Sequence, residues 1–159
     1  MEQERSHLGE LTSQIGKEAP ARSEEVEKGA IRRFVNALGD HNPLYEDEGF
    51  AKNSRYEGLI APPLFVLTLN RERRPQIDNR LGKGAVNAGN DFEFFCPIRP
   101  GDVITSKRKL ADVKERAGTL GRMFLLTEET TFVNQRGDRV ATGRWTTIVY
   151  EGHQQKEPV

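Results

Sequence analysis

The sequence predicts an α+β fold in which an antiparallel sheet wraps around a central helix. Two observations lead to this prediction. An almost wholly apolar stretch, Leu59–Leu69, has the composition of a helix that other structure must cover. From Asn90 to Tyr150, apolar and polar residues alternate between turn signals, as they do in a strand meander. A sheet that curls around the helix buries the apolar surfaces of both.

Composition narrows the possible functions. The 159 residues suit a single domain, and 24 basic side chains balance 24 acidic ones, so a nucleic-acid partner is not expected. A single cysteine, Cys96, favours a reducing cytoplasm. The charged N-terminus does not resemble a secretory signal, and no apolar run approaches the roughly 20 residues of a membrane span. The three histidines are far apart, so no metal site is expected.

Helices are predicted in the first half of the chain. Residues 1–15 form a polar segment or one short helix, and an exposed edge strand is expected around Val26. Gly39 ends a helix whose apolar residues recur at helical spacing. Asp47–Lys52 can add one more helical turn. The apolar residues of the first helix are Ile31, Phe34, Val35 and Leu38.

The second half is predicted to be one buried helix followed by strands. Proline is tolerated in the first turn of a helix, so the helix is expected to run from Pro62 to about Arg73. Residues 76–90, with Gly82, Gly84 and Gly89, are predicted to be a flexible cover over a pocket. The domain is expected to span residues 16–150, followed by a solvated tail at 151–159. The predicted strands are Asn90–Ile98, Val103–Val113, Gly121–Val133 and Arg139–Tyr150.

Four motifs, spaced over about residues 13–150, resemble one protein family. They read FVNALGDHNPLYEDEGFA, YEGLIAPPLF, FEFFCPIRPGDVI and FVNQRGDRVATG. The chain resembles the MaoC-like hydratases and dehydratases, and most closely their N-terminal, FAS1-like dehydratase type. The resemblance implies a hot-dog fold and the reversible addition of water to a trans-2-enoyl thioester, giving an (R)-3-hydroxyacyl thioester. It implies no cofactor besides the substrate, an acyl-CoA or acyl-carrier-protein thioester.

The family's chemistry depends on an aspartate, a histidine and a backbone donor. Active members carry an aspartate, then Asn-Pro, one residue and a histidine, and later Ala-His-Gly. The aspartate and histidine hold a water, activate it against C3 and return a proton at C2. A backbone N–H at the start of the buried helix stabilises the thioester oxygen as it gains negative charge.

Two of these three features differ in this chain. Asp40 stands at the family's aspartate position, and Asn42-Pro43 match. Tyr45 occupies the histidine position, and a phenol with a pKa near 10 is a poor base at neutral pH. Ala61-Pro62-Pro63 replaces Ala-His-Gly, and proline has no N–H to donate. Asp40 and Tyr45 are thus the candidate catalytic residues.

Each of these residues also has a structural interpretation. Asp40 can simply cap a turn after Gly39, and Tyr45 can pack in the core with its hydroxyl hydrogen-bonded. His41, outside the family's histidine position, is expected to be an exposed loop residue, and Cys96 a packing residue. Three arginines after the buried helix suit a solvated helix end, with the phosphates of coenzyme A as the alternative. They are Arg71, Arg73 and Arg74.

Three functions stay open at this point. The first is the acyl-binding subunit of a heteromeric hydratase or dehydratase, whose partner carries the complete Asp/His motif. The second is a self-sufficient enzyme rebuilt around Asp40, and the third is a non-catalytic acyl-CoA binding module. Hot-dog domains pair through their sheets, so a homodimer or heterodimer is expected. The predicted substrate-binding residues are Asn42, Ala61, Pro62, Pro63 and Gly89.

Overall fold

The computed structural model describes residues 8–69, 81–118 and 121–150. Five strands form one antiparallel sheet in the order β1-β3-β4-β5-β2. The strands are β1 Arg22–Glu25, β2 Gly84–Phe94, β3 Val103–Gly118, β4 Gly121–Val133 and β5 Arg139–Tyr150. The helices are α1 Lys28–Leu38, α2 Pro43–Glu46, α3 Glu48–Lys52 and a 3₁₀ helix, Pro63–Thr68. Residues 8–12 are also helical.

Long strands β3, β4 and β5 form the middle of the sheet. The hairpin loop between β4 and β5 is closed by Asn134, whose side-chain oxygen accepts the N–H groups of Arg136 and Asp138 at 3.0 Å each. The four-residue β1 forms one edge of the sheet and the eleven-residue β2 forms the other. The predicted edge strand before α1 is confirmed. The predicted strand meander is confirmed for β3, β4 and β5, but β2 pairs with β5 rather than with the next strand, β3.

The main core lies between one face of the sheet and the helical layer. Phe34 of α1 meets Phe65 of the 3₁₀ helix edge to face, with ring centroids 5.6 Å apart. Such pairs add a small attraction to the gain from burying the rings. An antiparallel sheet that packs against a helical layer through one core agrees with the predicted hot-dog fold. Core residues from both layers include Ile31, Val35, Phe65, Val66, Ile104, Phe132, Val140 and Ala141.

Helix α1 ends where the sequence predicts. Gly39 adopts the left-handed conformation (φ 66°), and its N–H donates to the carbonyl oxygens of Asn36 and Val35. Ile31 and Val35 are buried as expected. Leu38 is 58% exposed, which corrects its assignment to the apolar face. It lies in the last turn, beyond the part of α1 that the sheet covers.

The predicted helix from Pro62 to Arg73 is wrong in type. Among the described residues it is a 3₁₀ helix, and Leu69 is already extended (φ −80°, ψ 133°); residues 70–73 lie outside the described part. Side chains three apart eclipse one another in a 3₁₀ helix. Leu64 and Leu67 therefore share one face, which is 44% and 46% exposed, while Phe65 and Val66 are buried. The element is covered on one side only.

Two further sequence predictions need correction. Residues 84–90 belong to strand β2 rather than to a loop, because they pair with β5 from Gly84 opposite Tyr150 onward. Glycine suits that position, since a Cβ on Gly84 would lie 2.5 Å from the Tyr150 ring. Val26 is not exposed. It follows β1, is 1% exposed, and donates its N–H to the Asp102 carbonyl oxygen at 2.8 Å.

The N-terminal segment attaches to the sheet at β3. The N–H of Gly16 donates to the carbonyl oxygen of Leu110, and that of Ala19 to Arg108, at 2.9 and 2.7 Å. Leu8 packs against a second buried cluster that contains Phe124. Residues 1–7, 76–80 and 151–159 lie outside the described residues, so the predicted domain limits and tail stay predictions. No helix among the described residues is long and apolar enough to cross a membrane.

Candidate functional site

The candidate site is a cleft of about 450 Å³ between the first helices and the end of β2. It brings together five predicted site residues from two short segments of the sequence, 42–45 and 61–63. The lining residues are Asn42, Leu44, Tyr45, Tyr56, Ile60, Ala61, Pro62, Pro63, Phe94, Phe95, Cys96, Pro97, Ile98 and Val140. Most of them are apolar, and a few polar groups lie among them, as is typical of a small-molecule site.

Asn42 builds the first wall of the cleft. Its side-chain oxygen accepts the Leu44 N–H at 3.0 Å, so Asn42 is the N-cap of α2. Pro43 follows at the first helical position, where proline's missing N–H costs no intrahelical bond. The Asn42 carbonyl oxygen accepts the Tyr45 N–H at 2.9 Å. This capped turn fixes the direction in which the Tyr45 side chain leaves the backbone.

Tyr45 lines the cleft and packs against the main core. Burial raises the pKa of its phenol above the ordinary value, and the negative charge of Asp40 raises it further. At neutral pH the phenol is therefore protonated and does not act as a base. The predicted packing of Tyr45 is confirmed, but no hydrogen bond of its hydroxyl is found within residues 8–69, 81–118 and 121–150.

Asp40 lies at the end of α1, next to the cleft. Its N–H donates to the Val35 carbonyl oxygen at 3.3 Å, but no hydrogen bond of its carboxylate is found in the described part of the chain. The carboxylate is exposed and close enough to Tyr45 to affect its pKa. His41 is exposed, as expected, with its Nδ1 3.2 Å from a carboxylate oxygen of Glu46. No imidazole is among the cleft's lining residues.

The second wall presents no backbone donor at residues 61–63. Ala61 donates its N–H to the Ile98 carbonyl oxygen at 2.8 Å. Pro62 and Pro63 have no N–H. The Pro62 carbonyl oxygen accepts the Phe65 N–H at 2.9 Å, which begins the 3₁₀ helix. Residues 61–63 therefore offer the cleft no free backbone N–H.

The third wall is aromatic, and the sequence analysis did not identify it as part of the site. Phe94 and Phe95 are 43% and 42% exposed at the end of β2, and Tyr56 joins them across the cleft. Cys96 donates its thiol to the Arg139 carbonyl oxygen at 3.5 Å. Burial, with a smaller effect of Asp138, raises the pKa of the Cys96 thiol, which fits its predicted packing role.

Other predicted site residues lie away from the cleft or outside the described chain. Gly89 is exposed at the register shift in β2, with φ 146°, and is not among the lining residues. Its role in substrate binding stays a prediction. Arg71, Arg73 and Arg74 fall outside the described residues. Within the described ranges, no group of three His, Cys, Asp or Glu side chains could hold a metal ion.

Comparisons with known proteins identify the family. The model of the FAS1-like dehydratase domain region matches residues 13–143. A UPF0336 protein of Thermobifida fusca is 34% identical over 130 residues, which are 79% of this chain and 83% of that protein. A probable enoyl-CoA hydratase alpha subunit of Thermomonospora curvata is 30% identical over 136 residues. Those residues are 74% of this chain but 43% of the alpha subunit, so this chain spans less than half of that relative.

Solved structures show the same fold. A chain of the ChsH1-ChsH2 complex of Mycobacterium tuberculosis has a TM-score of 0.80 at 18% identity, with 98% of this chain and 95% of that chain covered. The MaoC-like dehydratase of Rhodospirillum rubrum has a TM-score of 0.70 at 21% identity, with 87% and 94% covered. At these identities the likeness establishes the fold alone. The match over residues 13–143 establishes the family: this chain belongs to the FAS1-like dehydratase region family of MaoC-like proteins.

Proposed function

We propose that this chain is the acyl-binding subunit of a heteromeric (R)-enoyl-thioester hydratase or 3-hydroxyacyl-thioester dehydratase. The observation that carries the proposal is the phenol of Tyr45, lining the cleft where active members of the family have a histidine. A protonated phenol does not activate a water. The imidazole must then come from a partner chain that carries the complete Asp/His motif.

The shape of the cleft supports acyl binding. Its volume of about 450 Å³ and its largely apolar lining suit an acyl chain with its thioester. The hydrogen bond between Ala61 and Ile98 uses the one N–H that residues 61–63 possess. Polarisation of the thioester oxygen is therefore also assigned to the partner. In this proposal the chain binds and orients substrate while the partner performs proton transfer.

The open edge of the sheet supports a protein partner. Strand β2 has eleven residues and, in the described structure, pairs along one side only, with β5. A long unpaired edge is a template for another strand. Exposed apolar side chains on β2 and on the 3₁₀ helix can be covered at the same time. They are Leu64, Leu67, Val86 and Phe94.

The names of relatives and structural neighbours also support a protein partner. The Thermomonospora curvata relative is a probable alpha subunit, and two structural neighbours from Mycobacterium tuberculosis are complexes, ChsH1-ChsH2 and HadBC. These names support a heterodimer for this chain, with a homodimer as the alternative. A cytoplasmic location and a role in acyl-CoA metabolism belong to the same proposal, and the free thiol of Cys96 is consistent with such a location.

Reconstitution tests the proposal. The purified chain is assayed for hydration of crotonyl-CoA alone and with a second hot-dog chain that carries the complete Asp/His motif. We expect no turnover by this chain, and more turnover by the mixture than by the second chain alone. Robust hydration by the isolated homo-oligomer contradicts the proposal.

A self-sufficient enzyme rebuilt around Asp40 is the second candidate. The influence of the Asp40 charge on Tyr45 favours it, because the two groups then lie in one electrostatic environment. If this candidate is correct, Asp40→Asn abolishes turnover while leaving the fold intact. A non-catalytic binding module is the remaining alternative. It predicts thermal stabilisation by acyl-CoA without product in any combination of chains.

A further inference from the structure

Two arginines lie over aromatic rings that line the cleft. The guanidinium carbon of Arg55 is 4.8 Å from the ring centre of Tyr56, and that of Arg139 is 4.1 Å from the ring centre of Phe95. Both arginines are exposed, and both rings are lining residues of the cleft. Stacking on an aromatic face holds a guanidinium plane in place at little cost to its hydrogen-bonding edge.

These two arginines differ from the third stacked arginine of the described structure. Arg122 lies over Phe124 but also donates to a carboxylate oxygen of Glu115 at 2.8 Å. Arg55 and Arg139 contact no carboxylate within residues 8–69, 81–118 and 121–150. Arg55 donates one N–H to the Tyr56 hydroxyl at 2.6 Å, and a guanidinium has five donors in all. Both groups thus keep donors for an external anion.

We infer that Arg55 and Arg139 bind the phosphate of a phosphopantetheine-linked acyl thioester beside the cleft. The inference rests on the proposed function, because the acyl chain has to occupy the cleft for its carrier to reach these side chains. An apolar acyl group matches the cleft lining, and a phosphate matches a pair of exposed guanidinium groups. The two arginines therefore bind the carrier part of the substrate, which coenzyme A and a carrier protein share, rather than the acyl chain.

Two carriers share this phosphate. Coenzyme A and a carrier protein both attach the acyl thioester through 4′-phosphopantetheine, and coenzyme A adds a nucleotide with a further phosphate. Three probes separate the contributions: S-crotonyl pantetheine, S-crotonyl 4′-phosphopantetheine and crotonyl-CoA. If the affinity for S-crotonyl 4′-phosphopantetheine already depends on the arginines, the phosphate that they bind is the one shared by both carriers. Dependence that appears only with crotonyl-CoA overturns the assignment to the shared phosphate, because the arginines then bind the nucleotide part of coenzyme A.

Calorimetric titration of the full chain, in the oligomer that it forms, tests the inference. The wild type is expected to bind both phosphate-bearing probes about tenfold or more tighter than S-crotonyl pantetheine. Arg55→Gln and Arg139→Gln are each expected to weaken that binding about five- to tenfold. Binding of the phosphate-free probe should stay unchanged, and higher salt should reduce the difference between the probes.

Arg116→Gln is the matched control. Arg116 is exposed and pairs in register with Met123, which pairs with Tyr150 at the far end of β5. Ala141 follows Val140, which lines the cleft, and Tyr150 lies nine positions further along β5, or roughly 30 Å away along the strand. If Arg116→Gln weakens binding as much as Arg55→Gln and Arg139→Gln do, the inference is overturned. Such a result would mean that binding depends on the total charge of the protein rather than on these two arginines.

The remaining outcomes distinguish this inference from the proposed function. If wild type binds all three probes equally, or if both cleft variants bind like wild type, the assignment of the arginines is wrong while acyl binding stands. If the variants weaken S-crotonyl pantetheine as much as crotonyl-CoA, their role is structural and the inference is overturned. If wild type binds no thioester at all, the proposed function fails and the inference fails with it.

Discussion

The Ala61 N–H donates to the carbonyl oxygen of Ile98 at 2.8 Å, and this hydrogen bond joins two walls of the cleft. It connects the proline-rich segment before the 3₁₀ helix to the turn that follows β2. Both residues are buried, so little water competes for the bond. The same bond uses the one N–H that residues 61–63 possess, since Pro62 and Pro63 have none. The hydrogen bond that joins the two walls thus leaves residues 61–63 without a free backbone donor.

The cap provided by Asn42 gives the first prediction. Asn42→Ala removes the oxygen that accepts the Leu44 N–H and should lower the free energy of unfolding by about 1 kcal/mol. Asn42→Asp keeps a capping oxygen and should lower the free energy of unfolding much less. Urea unfolding followed by circular dichroism measures both. Equal destabilisation by the two variants would mean that the cap does not hold this wall.

The second prediction concerns the buried carboxylate of Asp102. It accepts the Arg99 N–H at 2.8 Å and the Gln135 amide at 3.0 Å, which ties the turn after Ile98 to the β4–β5 loop. Asp102→Ala should cost about 1–3 kcal/mol of unfolding free energy, because it leaves the Arg99 N–H and the Gln135 amide without their acceptor. Asp102→Asn keeps one acceptor oxygen and should cost less. A double-mutant cycle with Gln135→Ala should show coupling, and purely additive effects would refute the link.

Tyr45 gives a prediction about pH. Because the pKa of its phenol is higher in the folded protein than in the unfolded chain, the folded state keeps the proton longer. The resulting stabilisation is fully present below about pH 10 and is lost as pH rises through the folded pKa. Tyr45→Phe should therefore lose less stability than wild type between about pH 9 and about pH 11. If the free energy of unfolding falls equally with pH for Tyr45→Phe and wild type, the pKa of Tyr45 is not raised in the folded protein.

Substitutions at two positions of the 3₁₀ helix should have different effects, one on the stability of the fold and the other on association with a partner chain. Phe65 is 2% exposed, and Phe65→Ala should lower the free energy of unfolding by about 3–5 kcal/mol. Leu67 is 46% exposed, so Leu67→Ala should leave the stability of the single chain nearly unchanged while weakening association. Chemical unfolding and sedimentation velocity measure the two effects. Unchanged association of Leu67→Ala would remove this face from the proposed interface.

Local signals predicted much of the fold correctly. Helical spacing followed by Gly39 fixed α1, and alternation between turn signals identified β3, β4 and β5, because these patterns act within a few residues of each other. Prediction failed where a distant partner decides the conformation. Residues 84–90 look like a glycine loop in the sequence, yet pairing with β5 makes them a strand. Val26 has charged neighbours, yet the turn at Asp102 draws it into the core.

The cleft residues also divide into those that local sequence patterns identify and those that only tertiary packing brings together. Asn42, Tyr45 and Ala61-Pro62-Pro63 were found through motif positions, and the structure places them in one cleft. Tyr56 and Phe95 were missed because neither follows a periodic pattern and their convergence depends on tertiary packing. An arginine next to an aromatic residue was a local hint for Tyr56 alone. Arg55 directly precedes Tyr56, whereas Arg139 and Phe95 meet only across the fold.

Hydration of crotonyl-CoA by the purified chain, as wild type and as Asp40→Asn, tests the central claim most directly. Loss of the enoyl absorbance reports the addition of water without any coupled enzyme. We expect both proteins to bind the thioester and neither to turn it over above the uncatalysed rate. Turnover by wild type that Asp40→Asn abolishes, with the fold unchanged, would instead establish a self-sufficient enzyme and rule out a site shared with a partner.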